Sequence, residues 1–301
     1  MDNKKIDSKI ASYAGIHLGK SNCYKETYSP ELLVKIPRIY NRELYNISNE
    51  KLPFVGYDIW NAYEVSFLTQ KKLPINGVLK IQIPANSEFI VESKSLKLYL
   101  NSFNMTTLGT NTDTSIGNFC RMVCEDLSNL LDSSIECKFY RENLTPINVM
   151  SDYVNLSAIV DLDTIEFSLD SDDINLLVDH VSDDTSTIRL QTDLLRSNCR
   201  VTNQPDWGDV FIHIKGNHIP DYESLIKFIV SHRKINHFHE EVVEMLYTKL
   251  FSAYKPCELM VFCFYTRRGG IDINPVRASN ESLIPPALRC IDIIASKTIR
   301  Q

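Results

Sequence analysis

Two side chains with reactive chemistry stand seven positions apart in the second half of the sequence. Cys199 is followed by Asp206, and amides and a proline fill the interval between them. Such residues favour a turn over a helix, and the turn leads into the apolar run at 210–214, which is typical of a strand. The pair offers a candidate nucleophile and a candidate acid at the start of a strand.

Each of these two residues also has a purely structural interpretation. A free cysteine at pH 7 is only a few per cent thiolate, so Cys199 would need help from its surroundings to act as a nucleophile, and a small buried core residue explains it equally well. Asp206, between Pro205 and Trp207, fits a desolvated carboxyl that stays protonated and acts as an acid. It also fits a turn or N-cap aspartate, and the residues alone leave both interpretations open.

A second candidate site lies where a helix is predicted to start, at His239 and Glu240. Acidic residues in a first helical turn often do no more than compensate the helix dipole. A carboxylate there is also suited to accept two N–H bonds from a flat ring edge such as that of a guanine base. Glu92, at the start of another predicted helix, offers a second carboxylate of this kind.

The third candidate is the basic turn at 267–270, Arg-Arg-Gly-Gly, which follows a hydrophobic strand. Glycines let the backbone approach a ligand closely and guanidinium groups bind phosphate, and Lys94 and Lys97 would add positive charge. A hairpin turn with solvated arginines explains the same residues. Neither a glycine-rich dinucleotide fingerprint nor a Walker-type loop occurs, so a Rossmann or P-loop nucleotide site is not supported.

Composition narrows the class of protein. The chain has 301 residues, 44% of them apolar, and a net charge of −6, which gives no general attraction to nucleic acid or to acidic membranes. Eight cysteines occur without a CxxC pair, and neither a signal peptide nor a membrane-spanning run is recognised, so a cytoplasmic protein is expected. Cys120 and Cys124 lie one helical turn apart, but no further ligands complete a zinc site, so no metal is expected.

The periodicity of apolar residues predicts the strands and helices that carry these candidate residues. The first fifty residues have no clear period and are interpreted as an irregular arm on the surface, and the acidic stretch 152–184 as a linker with one strand near 156–162. Strands are predicted at 60–67, 79–83, 135–140, up to 199, 210–214 and 258–265, and helices at 92–100, 115–131, 222–231 and 238–251.

The two halves repeat this order of elements. A shift of 119 positions superposes five identical residues of the second helix of each half, although any two amphipathic helices share some residues at helical spacing. Two copies of a strand-strand-helix-helix-strand unit predict an α+β fold, with antiparallel sheets and paired helices on one face. The predicted division is 1–170 and 171–301. The superposed pairs are Phe119 and Phe238, Val123 and Val242, Glu125 and Glu244, Leu127 and Leu246, and Leu131 and Leu250.

Four stretches together resemble a known enzyme family. They are a helix at 92–104 that is similar to the family's signature helix, the stretch from Cys199 to Asp206, and the motifs at 238–241 and 267–275. The family is the long, two-half form of the NADPH-dependent 7-cyano-7-deazaguanine reductases, the nitrile reductases of queuosine biosynthesis. The resemblance implies tandem tunnelling-fold (T-fold) units and a homodimer that binds neither nucleic acid nor membranes.

The resemblance also implies a reaction and its residues. The family reduces the nitrile of 7-cyano-7-deazaguanine (preQ0) to the aminomethyl group of 7-aminomethyl-7-deazaguanine (preQ1), with two NADPH. One active centre per chain would draw on both halves, since the first half lacks counterparts of Cys199 and of His239. The implied roles are a covalent thioimide on Cys199, proton donation by Asp206, substrate binding by Val91, Glu92, Ser93, His239 and Glu240, and NADPH binding by Ser93, Lys94, Arg268 and Gly269.

Two other functions compete with this expectation. One is a T-fold enzyme of the cyclohydrolase or aldolase type acting on a pterin or purine, but those hydrolases depend on zinc, for which the chain shows no convincing set of ligands. The other is a purine-binding module without catalysis, in which Glu240 binds a base and Cys199 is merely buried.

Overall fold

The computed structural model describes residue 12 and residues 25–142, 145–169 and 173–301. Alternating apolar residues form long strands there, and apolar residues at helical spacing form the helices that cover them. The elements are β1 (Lys35–Pro37), α1 (Ile39–Arg42), β2 (Val55–Thr69), β3 (Pro74–Pro84), β4 (Phe89–Val91), α2 (Ser93–Asn101), β5 (Thr107–Gly109), α3 (Thr112–Leu131), β6 (Glu136–Tyr140), β7 (Val154–Asn155), β8 (Asp179–Asn198), β9 (Pro205–Pro220), α4 (Tyr222–Ser231), α5 (His239–Tyr254), β10 (Glu258–Tyr265) and β11 (Ile271–Ala278).

One twisted sheet runs through both halves of the chain in the strand order β6-β3-β2-β11-β10-β9-β8-β7. Neighbours along β6 to β8 are antiparallel, whereas β7 pairs with β8 and β5 with β2 in parallel. The two halves meet where β2 pairs with β11 over eight residues, from Ala62 opposite Ile271 to Val55 opposite Ala278. A short separate ladder joins β1 to β4. A site between the halves therefore rests on continuous backbone hydrogen bonding.

Both helix pairs pack on the same face of this sheet. Helices α2 and α3 cover β2, β3 and β11 with fully buried side chains such as Leu96 and Phe119, and α4 and α5 cover β8, β9 and β10 with Leu225 and Leu246. Phe262 of β10 lies opposite Val276 of β11, and both belong to a third cluster on the other face. The α+β class and the antiparallel sheet with paired helices on one face are thus confirmed.

The repeat predicted from the sequence corresponds to equivalent packing. Three of the superposed pairs are buried on the inner faces of α3 and α5, namely Val123 and Val242, Leu127 and Leu246, and Leu131 and Leu250. Each half presents two long strands followed by two helices and a strand, and the second half adds β11. The division between 170 and 171 falls outside the described residues and stays a prediction.

Three expectations about elements were wrong. The stretch 156–162 is not a strand, because it forms short 3-10 turns at Leu156–Ala158 and Leu162–Thr164, and the acidic linker ends at Asp179, where β8 begins. Strand β11 was missed because it contains Pro275, which is unusual inside a sheet. The arm is not an irregular surface segment throughout, since β1 and α1 bury Ile36 and Arg42. Residues 1–11 and 13–24 lie outside the described part.

Within the described ranges, no helix is both long enough and apolar enough to cross a membrane.

Candidate active site

A cavity of about 260 Å³ opens between the two halves, and it is lined by all ten residues to which the resemblance assigns a catalytic or binding role. The start of α2 contributes from the first half, and the loop between β8 and β9, the start of α5 and the turn before β11 contribute from the second. The predicted residues brought together here are Val91, Glu92, Ser93, Lys94, Cys199, Asp206, His239, Glu240, Arg268 and Gly269.

Cys199 is the first residue of the loop that joins β8 to β9. Its N–H donates to the carbonyl of Gln204 at 2.8 Å, and its own carbonyl accepts from the N–H of Asn203 at 3.0 Å. Asn203 has a φ of 55°, a left-handed conformation that asparagine tolerates better than most residues. The N–H of Asn198 donates to the carbonyl of Ile235 at 2.8 Å, which ties this tight loop to the segment before α5.

Arg200, the residue after Cys199, anchors the loop through buried polar contacts. Arg200 is buried, and its Nε lies 3.0 Å from Oε2 of Glu241. Its Nη2 forms hydrogen bonds with Oδ1 of Asn41 at 3.1 Å and with Nδ1 of His237 at 2.6 Å. Burial by itself would raise the pKa of Glu241, but Arg200 and then His237 outweigh it and hold that pKa below its usual value. Glu241 also accepts the N–H of Phe238, so one carboxylate fixes both the loop and the start of α5.

Asp206 is the second residue of β9 and is 4% exposed. Its Oδ1 lies 3.1 Å from Nε of Arg268 and 3.4 Å from Nε2 of His239, and Arg268 also donates to the carbonyl of Pro205 at 3.1 Å. The side chain is thus buried as expected, but it lies beside two basic side chains and not among apolar ones alone. Asp206 forms an ion pair, and Arg268, expected at the cofactor, is one of its partners.

His239 is held by a ring that sequence reasoning missed. The imidazole stacks on the buried Tyr265 of β10, with centroids 3.8 Å apart and an angle of 2° between the ring planes. Burial raises the pKa of Tyr265 well above its usual value, so its phenol stays neutral. The stack turns the Nε2 edge of His239 towards Asp206. Nothing in the sequence marked Tyr265, since it ends an apolar strand like any core aromatic.

The two glutamates that line the cavity differ in their partners. The side chain of Glu92 caps α2, because it accepts from the N–H of Lys94 at 2.8 Å and of Ser95 at 2.7 Å. Glu240 is 2% exposed, and its Oε1 has no hydrogen-bond partner among the described residues. Burial, followed by the charge of Asp58, raises the pKa of Glu240 to about 8. Oε1 of Glu240 is thus an acceptor to which a ligand can donate a hydrogen bond.

The positively charged side chains that line the cavity are Lys94, Lys97 and Arg268. The ammonium of Lys97 donates to the carbonyl of Gly269, whose φ of +57° is left-handed, and a Cβ there would lie 3.0 Å from Cδ of Lys97. Glycine is needed for this close approach. Lysine and arginine side chains beside an exposed turn suit the phosphates of a dinucleotide, and two of the three also form ion pairs, Lys97 with Glu64 and Arg268 with Asp206.

The other arginine of the turn does not share this role. Arg267 lies over the ring of Tyr63, 3.7 Å from its centroid, and is not among the residues that line the cavity. The idea that the two adjacent arginines bind one ligand was wrong, because neighbouring residues in extended backbone point in opposite directions.

Apolar side chains that sequence reasoning passed over form the rest of the wall. Trp60, Phe238, Ile271 and Ile273 line the cavity, and Trp60 is 1% exposed. Flat apolar surfaces of this kind suit an aromatic ring. In the part of the chain that the structure covers, no group of three or more His, Cys, Asp or Glu side chains is arranged to hold a metal ion.

Comparison with known proteins decides the family. Residues 24–139 match the family model of "Nitrile reductase, 7-cyano-7-deazaguanine-reductase N-term", and residues 205–283 match that of "QueF-like protein". An NADPH-dependent 7-cyano-7-deazaguanine reductase of Rickettsia bellii is 41% identical over 271 residues, covering 90% of this chain and 95% of the relative. This chain belongs to the nitrile reductase family. The resemblance seen in the four motifs is confirmed.

Further similarities are found to one more relative and to one solved structure. The NADPH-dependent 7-cyano-7-deazaguanine reductase of Coxiella burnetii is 41% identical over 264 residues, which cover 87% of this chain and 91% of that protein. The archaeosine synthase QueF-Like in the apo form aligns with a TM-score of 0.29 and 19% identity over 35% of this chain and 99% of that one.

Proposed function

We propose that this protein reduces the nitrile of 7-cyano-7-deazaguanine to the aminomethyl group of 7-aminomethyl-7-deazaguanine, using two NADPH, in the pathway to queuosine in tRNA. The observation that carries the proposal is the convergence of Cys199, Asp206 and Glu240 on one cavity together with Glu92 from the other half. These residues come from three separate stretches of the sequence, at 92, 199–206 and 240.

The deazaguanine ring is placed between the apolar walls with its polar edge at Glu240. The unfilled Oε1 of this side chain can accept N–H groups from the pyrimidine edge of the base, and the ring stacks against Phe238 or Trp60. Val91, Glu92, Ser93 and His239 complete the proposed substrate site. Glu92 contributes less freely, because its carboxylate oxygens already accept two backbone N–H groups.

Cys199 and Asp206 perform the covalent step. The sulfur of Cys199 forms a bond to the nitrile carbon while one C–N π bond breaks, and the nitrogen takes up the proton that the thiol loses, which gives a thioimide. As the ion-pair partner of Arg268, Asp206 can receive that proton and pass it to nitrogen. His239, in contact with the same Oδ1, keeps the carboxylate directed into the cavity.

NADPH, when bound, would supply one hydride, which is two electrons, to the thioimide carbon and a second hydride to the imine carbon, and the amine nitrogen and the Cys199 thiolate would each take up one proton. Ser93, Lys94, Arg268 and Gly269 are the residues proposed to hold the cofactor, and Lys97 joins them through its contact with Gly269. After the first reduction the C–S bond breaks, so that Cys199 leaves as the thiolate and an imine remains. The apolar wall of Trp60, Ile271 and Ile273 limits the access of water, which would hydrolyse the imine before the second reduction.

Three further expectations remain part of this proposal. A homodimer is the proposed assembly, and a cytoplasmic location agrees with the described cysteines, which are all free thiols. The division into two T-fold halves, 1–170 and 171–301, agrees with the order of elements in each half.

Intact-mass spectrometry tests the proposed reaction without relying on turnover. The native protein mixed with 7-cyano-7-deazaguanine and no NADPH should gain the mass of one nitrile molecule per chain, and Cys199→Ala should gain none. Cys257→Ala is the matched control, because Cys257 is an exposed thiol outside the cavity and its variant should still form the adduct. The absence of an adduct in the native protein would contradict the proposal and favour a purine-binding module.

A further inference from the structure

Beneath Glu240 lies a cluster of buried charges that the reaction does not use. Arg38 and Arg42 enter it from the N-terminal arm, Asp58 from β2, Glu244 from α5 and Arg277 from β11. All five are 4% exposed or less. Charged side chains are almost never buried this fully unless they are paired, so the cluster requires an explanation beyond packing.

Glu244 is the centre of the cluster and lies one helical turn after Glu240 on α5. Its carboxylate accepts from Nε of Arg42 at 2.9 Å and from Nη2 of Arg277 at 2.9 Å, and Nη1 of Arg38 lies 3.7 Å away. Burial alone would raise the pKa of Glu244, but Arg277, then Arg42 and Arg38, lower it to about 2. Glu244 is therefore ionised throughout the physiological range.

Asp58 joins the arm to the sheet within the same cluster. It accepts from Nη1 of Arg277 at 2.8 Å and from Nη2 of Arg38. The cluster then contains three guanidinium groups but only two carboxylates, which leaves one positive charge without a partner of opposite sign. An ionised Glu240, one helical turn before Glu244 on α5, would balance it.

Several charged or titratable groups act on Glu240. Asp58 and Glu241 oppose its ionisation, and Arg38 favours it. The phenol of Tyr265, on β10, is neutral and also lies near Glu240. Burial dominates these influences, and with a pKa of about 8 Glu240 is mostly protonated at pH 7 while the cavity is empty. A ligand that offers two N–H donors needs the carboxylate form, so its binding must release a proton.

We propose that Arg38 and Asp58 are positioning residues for base recognition by Glu240. The guanidinium of Arg38 favours the carboxylate form of Glu240, and Asp58 opposes it. Together they set how tightly the cavity binds a ring with adjacent N–H donors. This inference rests on the proposed function, in which Glu240 binds the base. It also gives the arm a role, because Arg38 and Arg42 bring it into contact with the helix that carries Glu240.

The arm is well fixed for this role. The N–H of Arg38 donates to the carbonyl of Glu88 at 2.9 Å, its Nε donates to Ser87 at 3.2 Å, and β1 pairs with β4 directly before Glu92. The same short segment thus contacts Val91 of the first half through β4 and Glu244 of the second half through Arg38 and Arg42.

Opposite effects of two substitutions test the proposal. The dissociation constant of 7-deazaguanine, which has no nitrile, is measured by quenching of the fluorescence of Trp60 from about pH 6 to about pH 9. In the native protein it should fall about tenfold per pH unit up to about pH 8 and then level off. Arg38→Gln should move this transition to higher pH and weaken binding at pH 7 about three- to tenfold, and Asp58→Asn should move it to lower pH.

Arg38→Lys is the matched control, because it keeps the charge and should leave the transition within a few tenths of a pH unit of the native position. A merely structural role would weaken binding in both charge variants, whatever the pH. Shifts in the same direction, or no shift, would overturn the proposal.

Calorimetry in buffers of different ionisation enthalpy provides a test on the native protein if a variant does not fold. Binding of 7-deazaguanine at pH 7 should release about one proton. Release of none, together with a dissociation constant that does not change with pH, overturns this inference but leaves the nitrile reduction standing. Failure of the native protein to bind either 7-deazaguanine or the nitrile overturns both.

Discussion

Each half of the chain contributes a glutamate at the start of a helix beside the cavity, and the two carboxyl groups differ in what they bond. Glu92 accepts two backbone N–H groups of its own helix, whereas Oε1 of Glu240 accepts none from the described residues. Both are almost fully buried, at 3% and 2% exposed. Glu92 thus caps the first helix of one half, whereas Glu240, on the second helix of the other half, leaves an oxygen that a ligand could use as an acceptor.

The second helices of the two halves differ in whether their charged side chains are exposed or buried. On α3, Arg121 and Glu125 form an exposed ion pair, with side chains more than half accessible to solvent. On α5, the superposed positions are Glu240 and Glu244, and both are buried among charges. The apolar face of the unit is shared, so the fold is maintained in both halves, while the polar residues of α5 are buried beside the candidate site. Loss of function should therefore be greatest for substitutions in the second half.

Asp206→Asn should have the largest effect among the variants that keep Cys199. The rate of adduct formation should fall by about two to four orders of magnitude, because the amide cannot carry the proton from sulfur to nitrogen, while the base still binds. Stopped-flow absorbance of the thioimide measures the rate. Asp209→Asn is the control, since Asp209 faces the other way on the same strand and pairs with Arg300. An Asp206→Asn rate equal to the native rate would remove Asp206 from proton transfer.

Glu240→Gln should weaken binding of the base by about 10²- to 10³-fold, because two charge-assisted hydrogen bonds are replaced by one neutral bond and one donor facing another. Isothermal calorimetry with 7-deazaguanine measures the change. Glu125→Gln alters an exposed glutamate on the equivalent helix of the first half and should leave binding unchanged. Similar losses in both variants would mean that the two helices do not differ in the way described.

Arg268→Ala should impair both the binding of NADPH and the proton transfer by Asp206. The KM for NADPH should rise about tenfold through loss of an anion contact. Adduct formation in the absence of NADPH should also slow, since Nε of Arg268 lies 3.1 Å from Asp206. An adduct rate that matches the native protein would assign Arg268 to the cofactor alone.

Glu92→Gln should have the smallest effect on binding and act mainly on stability. Glutamine caps a helix poorly, so the free energy of unfolding should fall by about 1 kcal/mol. Denaturant unfolding measures this change, and binding of the base should weaken less than in Glu240→Gln. A loss of affinity as large as that at Glu240 would erase the distinction between the two halves.

Motifs and strong periodicity made much of the molecule predictable from the sequence. The bounds of α4 and β10 agree with the prediction, because each is an apolar run with clear ends. Strand β11 was missed since Pro275 argues against a strand. The roles of Arg38 and Arg277 could not be predicted, because charged residues are expected at the surface and their partners are distant in sequence.

The proposed reacting residues could be predicted from the sequence for a different reason. Cys199, Asp206 and Glu240 carry chemistry that their local structure does not require, and they lie in motifs that resemble those of a family. What the sequence could not provide was their mutual geometry, such as the contact of Arg268 and His239 with one oxygen of Asp206. It also gave no sign of the stack of His239 on Tyr265, since a buried tyrosine in a strand is ordinary.

Cofactor consumption with the nitrile substrate tests the central claim most directly. Purified protein is mixed with 7-cyano-7-deazaguanine and excess NADPH, the loss of NADPH is followed by absorbance, and the product is quantified by mass spectrometry. The account predicts two NADPH oxidised for each 7-aminomethyl-7-deazaguanine formed, and no oxidation with Cys199→Ala. Conversion of the nitrile without NADPH oxidation, or no conversion by the native protein, would contradict it.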